Sequence, residues 1–372
     1  MKMIGIIFSN IYDASLGDLT KHRTLASVPF GGRYRLIDFI LSNMSNSGIE
    51  NVGIITKYNY QSLMDHLGSC AEWDLNRKNG RVVIMPPYGV GQSNLYQGKL
   101  EALAGAIQFL QRAPGNYVLL SDSNTLCNID FEPVLRSHVK SGAKITVIAN
   151  RQDPDYPEER QELVLCEENE RITDIALNHE YTRDNLIGMG MYVIDKQFLI
   201  QVVEDSIAHG MYHFEKDFLQ RYFMHKKMEI NVYEFKQTVL RNRDIASYFK
   251  NHCKLLESDT VRNDIFNPQN PIYTKVRDEV PTYYAENSVV NDCLIADGCR
   301  IRGTVENSVI FRDVEIEEGA VVKHAIIMQG TVVKKGADIS YAIIDKDVVI
   351  TQDRTLVGVP SNPIIIHKGE KV

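Results

Sequence analysis

The hydrophobic pattern of this chain changes character about three quarters of the way along. Through residue 250, short apolar runs of strand length alternate with amphipathic stretches. The strand signals fall at 3–8, 51–56, 82–85, 117–120, 145–149, 163–166, 190–194 and 229–233, and helical periodicity at 35–47, 95–111 and 217–225. Apolar strands alternating with helices predict an α/β domain with a mostly parallel sheet, covered on both faces. Ligands of such sheets sit beyond the carboxyl ends of the strands. The loops that matter are therefore those after Phe8, Thr56 and Leu120, and the segment around Gly190.

Residues 263–281 carry Pro268, Pro271 and Pro281 with little periodicity and read as a linker. Beyond it four hexapeptides superimpose: VNDCLI (290–295), VENSVI (305–310), VKHAII (322–327) and ISYAII (339–344). Each is followed six residues later by a second apolar position, at Ile301, Ile316, Val333 and Ile350. Gly or Asp stands three residues past each isoleucine, at Gly298, Asp313, Gly330 and Asp347. A fixed period of this kind marks a solenoid, here a triangular β-helix with a turn-tolerant residue near each corner. The expected division is an α/β domain at 1–255, a linker at 256–285 and a β-helix at 286–372.

Composition adds exclusions. The 372 residues carry a net charge of -7, so no general basic excess exists to neutralise nucleic acid or an anionic membrane. The six cysteines form no CxxC pattern and read as core residues of a reducing cytoplasm. The opening run MKMIGIIFSN is too short for a signal peptide, and no later run reaches membrane-spanning length, so a cytoplasmic chain is expected.

Three stretches carry a resemblance. FGGRYRLIDF (30–39) with LSNMSNSGI (41–49), GIITKY (53–58) and GMGMYV (188–193) are similar to signature motifs of the ADP-glucose pyrophosphorylase (glucose-1-phosphate adenylyltransferase) family. The resemblance implies a Rossmann-like nucleotidyltransferase domain of GT-A-like type, followed by a C-terminal left-handed parallel β-helix. It also implies a reaction, adenylyl transfer from ATP to glucose 1-phosphate. That chemistry needs a triphosphate cradle, carboxylates for Mg²⁺ and basic residues for the sugar phosphate.

Measured against those needs, the phosphate positions have changed. The family's GGxGTRLxxLT after the first strand corresponds to SNIYDASLGDLT (9–20), with Asn10, Ile11 and Asp13 in place of glycines and Ser15 in place of Arg. Glycines let backbone N–H groups approach phosphate. A carboxylate ~4–5 Å from a phosphate costs about 3–4 kcal/mol at an effective dielectric near 20. The same stretch also reads as an ordinary strand-to-helix loop. Asp122, after the strand at 117–120, matches the family's first metal carboxylate, and equally reads as a polar strand-end residue. Counting back from YFKN (248–251) puts the second metal position at Arg241, with Asp244 three residues later. A guanidinium repels Mg²⁺. The family's sugar-phosphate Lys becomes Asn178, and its YRGTADA becomes YQGKLEA (96–102), which keeps Tyr96 and Gly98 and exchanges Arg for Gln97.

Arg23 and Arg35 fall on positions that the resemblance associates with a phosphorylated sugar effector, although the neighbouring Lys is Leu25. They read equally well as salt-bridge partners. Intact framework motifs beside altered phosphate sites resemble the family's second subunit type. In some glycogen-synthesising bacteria that type joins a catalytic subunit in a heterotetramer and tunes it. The expectation is a regulatory, catalytically impaired subunit with no firm cofactor. The alternatives are a slow Mg²⁺-dependent adenylyltransferase using Asp122, a sugar-phosphate sensor without a catalytic partner, and a hexapeptide acyltransferase relying on His324.

Overall fold

The computed structural model describes residues 2–76, 80–87, 96–151, 161–168, 171–179, 185–226 and 228–372. The chain forms two compact units, and they are not consecutive halves of the sequence. One holds 1–11, 40–60 and 68–239; the other holds 12–39, 61–67 and 240–372.

The first unit is built on a nine-stranded sheet. Its strands are β1 (Met3–Phe8), β2 (Asn51–Ile55), β3 (Arg81–Met85), β4 (Tyr117–Asp122), β5 (Ile145–Arg151), β6 (Gln161–Glu168), β7 (Arg171–His179), β8 (Leu186–Asp195) and β9 (Ile230–Glu234). The order is β7-β6-β8-β4-β1-β2-β3, and β5 pairs with both β8 and β9. The run β4-β1-β2-β3 is parallel, as is β5 with β9, while β8 lies antiparallel to β4 and β5. In register, Phe8 faces Asp122 on one side and Ile55 on the other, so the carboxyl ends of β1, β2 and β4 end together. Ile4, Ile6, Val118, Leu120, Val147 and Ile194 put the sheet's interior at 0–1% exposure, which explains the continuous apolar runs.

Every expected strand is present within a few residues. The strand β7 is additional: residues 174–179, which hold Asn178, pair with β6. The helix expected at 95–111 is two short helices, Lys99–Ala104 and Ile107–Arg112, interrupted at Gly105 and Ala106, and Leu95 lies outside the described residues. The helix expected at 217–225 starts earlier, at Phe214, and its first seven residues wind as a wider π-type turn.

In the second unit the four hexapeptides stack as read. Ile295, Ile310, Ile327 and Ile344 pair in succession, then with Ile366, in parallel strands. Ile301, Ile316, Val333 and Ile350 form a second column. Both columns fill the interior of a parallel β-helix. Gly298, Asp313, Gly330 and Asp347 all adopt positive φ, between 56° and 79°, which is the corner conformation their residue types suggested. His324 lies in the strand Val321–Ile327, and its ring stacks on Tyr341 at 4.8 Å. Within the stretch expected as linker, Ile245–Glu257 runs on into 257 and Asp259–Ile265 is a further helix opened by a Ser258 cap.

Among the described residues no disulfide is formed, and burial raises the thiol of Cys70 to about 12 and that of Cys253 to about 11. Among the described residues no helix is long and apolar enough to cross a membrane.

Candidate functional site

The carboxyl ends of β1, β2 and β4 place Ser9, Asn10 and Asp122 where the sequence predicted. Asn10, 3% exposed, is held by its own neighbourhood. Its Oδ1 accepts from the Lys57 N–H at 2.9 Å and from the Ser9 hydroxyl at 2.8 Å, and its Nδ2 donates to the Tyr58 carbonyl at 3.2 Å. Tyr96 lies under the Lys57 ammonium, 4.5 Å from ring centre to nitrogen.

Asp122 is 2% exposed. Its space is made by Gly190, whose φ is +69°: a Cβ there would come within 2.4 Å of Asp122 Oδ2. The other neighbour of Asp122 is one that sequence reading passed over. Lys99, 4% exposed, donates from Nζ to Asp122 Oδ2 at 2.7 Å and to Glu215 Oε1 at 2.5 Å. Glu215 also accepts from the Tyr192 hydroxyl at 3.1 Å. The rings of Phe8 and Tyr192 flank the ammonium at 5.8 and 5.9 Å. The backbone fixes this lysine tightly. A Cβ on Gly98 would approach the Tyr212 carbonyl oxygen to 2.2 Å, and that same oxygen accepts from Leu100 N–H at 3.0 Å. The glycine retained from the motif at 96–102 thus sets the start of the helix that carries Lys99.

Mg²⁺, which the resemblance implied, does not fit these residues. Mg²⁺ requires oxygen donors at about 2.0–2.1 Å in octahedral geometry, whereas here a protonated amine sits on the strand-end carboxylate. Among the described residues no group of three His, Cys, Asp or Glu side chains is placed to hold a metal. Asn178 is an exposed residue near the end of β7 with φ of 50°.

The remaining sequence candidates lie in the second unit. Asp13, 3% exposed, accepts the Leu25 N–H on Oδ1 at 2.7 Å, and the Thr20 hydroxyl donates to its carbonyl at 2.6 Å. Ser15 donates to the Tyr12 carbonyl at 2.6 Å. These replacements close their own loop by hydrogen bonds. The Arg241 carbonyl accepts from Asn251, and Asp244 caps the helix Ile245–Glu257 through a capping box with Ser247. Asp244 is thus used as a cap.

Arg23 is committed to a buried ion pair. Its Nη2 lies 2.8 Å from both oxygens of Asp345, and the two side chains are 4% and 5% exposed. Arg35, in contrast, lines a pocket together with Arg33, Lys275, Arg277, Arg312 and Lys346. Arg35 is oriented by Nη1 bonds to the Ser62 carbonyl (2.6 Å) and hydroxyl (2.9 Å), and Asp38 accepts from its N–H at 2.9 Å and bonds His66 Nε2 at 2.5 Å. The charges disturb each other. Burial, Arg35 and Arg23 lower the Lys346 ammonium to about 7. Burial, with Arg33 and Arg277, lowers Arg312, whose buried Nε has no hydrogen-bond partner. Burial likewise lowers Arg35 to about 10, which leaves it protonated at neutral pH. Five of these six cations were missed because they are spread from Arg33 to Lys346 and meet only in the fold.

With both sites described, comparison with known proteins gives them a setting. The Nucleotidyl transferase family pattern matches residues 13–239, and the pattern of the GlmU-like C-terminal hexapeptide matches 280–362. A glycogen biosynthesis protein, GlgD, of Geobacillus stearothermophilus is 38% identical over 99% of this chain and 96% of its own. The GlgD of Bacillus subtilis (strain 168) is 34% identical over the same shares. The chain belongs to the ADP-glucose pyrophosphorylase family, in its GlgD-type group. A glucose-1-phosphate adenylyltransferase of Geobacillus stearothermophilus is 31% identical over 87% of this chain and 83% of its own. The kinship ties the chain to glycogen biosynthesis, and the paired columns of the second unit are the parallel coils of a left-handed β-helix of hexapeptide type.

Proposed function

We propose that this chain is a regulatory, catalytically impaired subunit of ADP-glucose pyrophosphorylase. It joins a catalytic subunit in a cytoplasmic hetero-oligomer, a heterotetramer, and tunes the partner's synthesis of ADP-glucose from ATP and glucose 1-phosphate. The observation that carries this reading is the Lys99 ammonium seated on Asp122, the carboxylate that metal-dependent adenylyl transfer would need free. Asn10, Asp13 and Ser15 support it, since their side chains serve local hydrogen bonds where a triphosphate cradle needs open backbone.

The basic pocket is the effector site in this reading. Six cationic side chains converge there, and a ligand bearing phosphate would supply the counter-charge. A sugar phosphate suits a pocket whose arginines present rigid forks. Control of the partner then follows if the effector binds one state of the oligomer better than another.

The test is ADP-glucose formation by the chain alone, by an isolated catalytic subunit, and by their mixture. Negligible turnover alone and a raised rate or altered effector response in the mixture are expected. Turnover alone equal to that of the mixture, abolished by Asp122→Asn, would establish the slow Mg²⁺-dependent adenylyltransferase instead.

A further inference from the structure

We propose that Lys99 is a built-in cation: its ammonium occupies the place between Asp122 and Glu215 that a divalent ion would take, and it closes this cleft to metal. The geometry is that of a cation site with the ion replaced. Two carboxylate oxygens from separate elements, the end of β4 and the turn at 214–220, converge on one point at 2.7 and 2.5 Å. The group at that point is almost fully buried and positively charged. The separations are those of charge-assisted N–H···O bonds, longer than Mg²⁺–oxygen distances.

Charge explains why the amine stays. A buried lysine without counter-charges loses its proton, and two buried carboxylates without a cation repel. Here one ammonium answers both carboxylates, and the Tyr192 hydroxyl adds a donor to Glu215. In the family motif quoted above, position 99 is Thr, a neutral side chain too short to reach Asp122. The exchange of Thr for Lys, in addition to the Arg at the second metal position, 241, puts a cation of the chain's own on Asp122. The inference goes beyond the regulatory reading. It concerns this chain's own cleft and holds whether or not a catalytic partner responds to the chain.

The experiment is Mn²⁺ titration of the full chain, read from the electron paramagnetic resonance of free Mn²⁺. The unmodified chain and its Asp122→Asn variant should bind Mn²⁺ indistinguishably. Lys99→Thr should gain one Mn²⁺ per chain, at least about tenfold tighter than any binding by the parent, because an adjacent positive charge has been removed. Adding Asp122→Asn to Lys99→Thr should abolish the gain, and Lys99→Arg should show none. Should Lys99→Thr be unfolded without metal, Mn²⁺ should restore its melting transition, and Mg²⁺ should do so more weakly. The proposal is overturned if the unmodified chain binds Mn²⁺ in an Asp122-dependent way. It is equally overturned if folded Lys99→Thr gains no Mn²⁺, or if the unfolded variant is not rescued. A stimulated or unstimulated catalytic partner changes none of these outcomes.

Discussion

The two charged regions of this molecule handle charge in opposite ways. In the sheet unit, the Lys99 ammonium and the carboxylates of Asp122 and Glu215 satisfy one another at hydrogen-bond distance inside the protein. In the β-helix unit, six cations gather around a pocket; Arg33 pairs with Asp297 at 3.3 Å, while Asp345 is engaged by Arg23 and Asp38 by His66. The first arrangement shares one cation between two carboxylates. In the second, burial together with Arg35 and Arg23 lowers Lys346 to about 7, and burial with Arg33 and Arg277 lowers Arg312. One cluster holds its cation against two acids within the protein, whereas the other gathers cations in excess of the acids that pair with them.

The largest expected effect breaks the first arrangement. Lys99→Ala in the presence of a chelator leaves the buried Asp122 facing the half-buried Glu215, and loss of one partner of a buried pair costs about 3–5 kcal/mol. Urea unfolding should show this loss, and a cost under about 1 kcal/mol would mean that the carboxylates are solvated or neutral. The pocket should respond to removal of a ligand-facing cation. Arg312→Ala should weaken binding of a phosphorylated sugar by roughly ten- to a hundredfold, the worth of a charge-assisted hydrogen bond, with little loss of stability. Calorimetric titration checks it, and an unchanged affinity would remove Arg312 from the site.

The smallest effect is a pH dependence. The folded Lys346 titrates near 7, against 10.5 for the ordinary amine. Below about pH 7 both folded and unfolded chains hold the proton, and the folded state carries the whole penalty of the crowded pocket. Between 7 and 10.5 only the unfolded chain holds it, so this group makes stability rise with pH across that window. An anion in the pocket raises the amine's pKa and is bound with proton uptake. Sulfate keeps a constant charge over this range, so its rise in melting temperature should be larger at about pH 6.5 than at about pH 9. Lys346→Met should flatten the difference.

The two regions were unequally legible in the sequence, for a physical reason. The β-helix columns at 295, 310, 327 and 344 were readable because each coil repeats the same local requirement, and the pairing is one to one. The strand-end position of Asp122 was readable because an apolar run ends there. Glu215 was not, because residues 99, 122 and 215 meet through tertiary packing with no fixed spacing. Lys99 did carry a signal: a cation directly after a motif glycine, inside the apolar stretch of a helix start. The pocket showed only Arg35, since Lys275, Arg277, Arg312 and Lys346 are single basic residues among neighbours of ordinary composition. Asn10, Asp13 and Ser15 stand out only against the glycines and arginine of the family motif.

The Lys99 arrangement also constrains the history this sequence can have. Regaining metal at Asp122 does not by itself return the cleft to metal-dependent chemistry. Loss of the lysine leaves the buried Asp122 and the half-buried Glu215 facing each other until a cation enters, and loss of Glu215 first leaves the lysine still seated on Asp122. Each step also leaves the replaced residues at 10, 13 and 15 in place, with their hydrogen bonds made. The lysine therefore acts as a ratchet. Once it entered the cleft, restoring a metal there and reopening the loop at 10–15 became separate steps, each with contacts to undo.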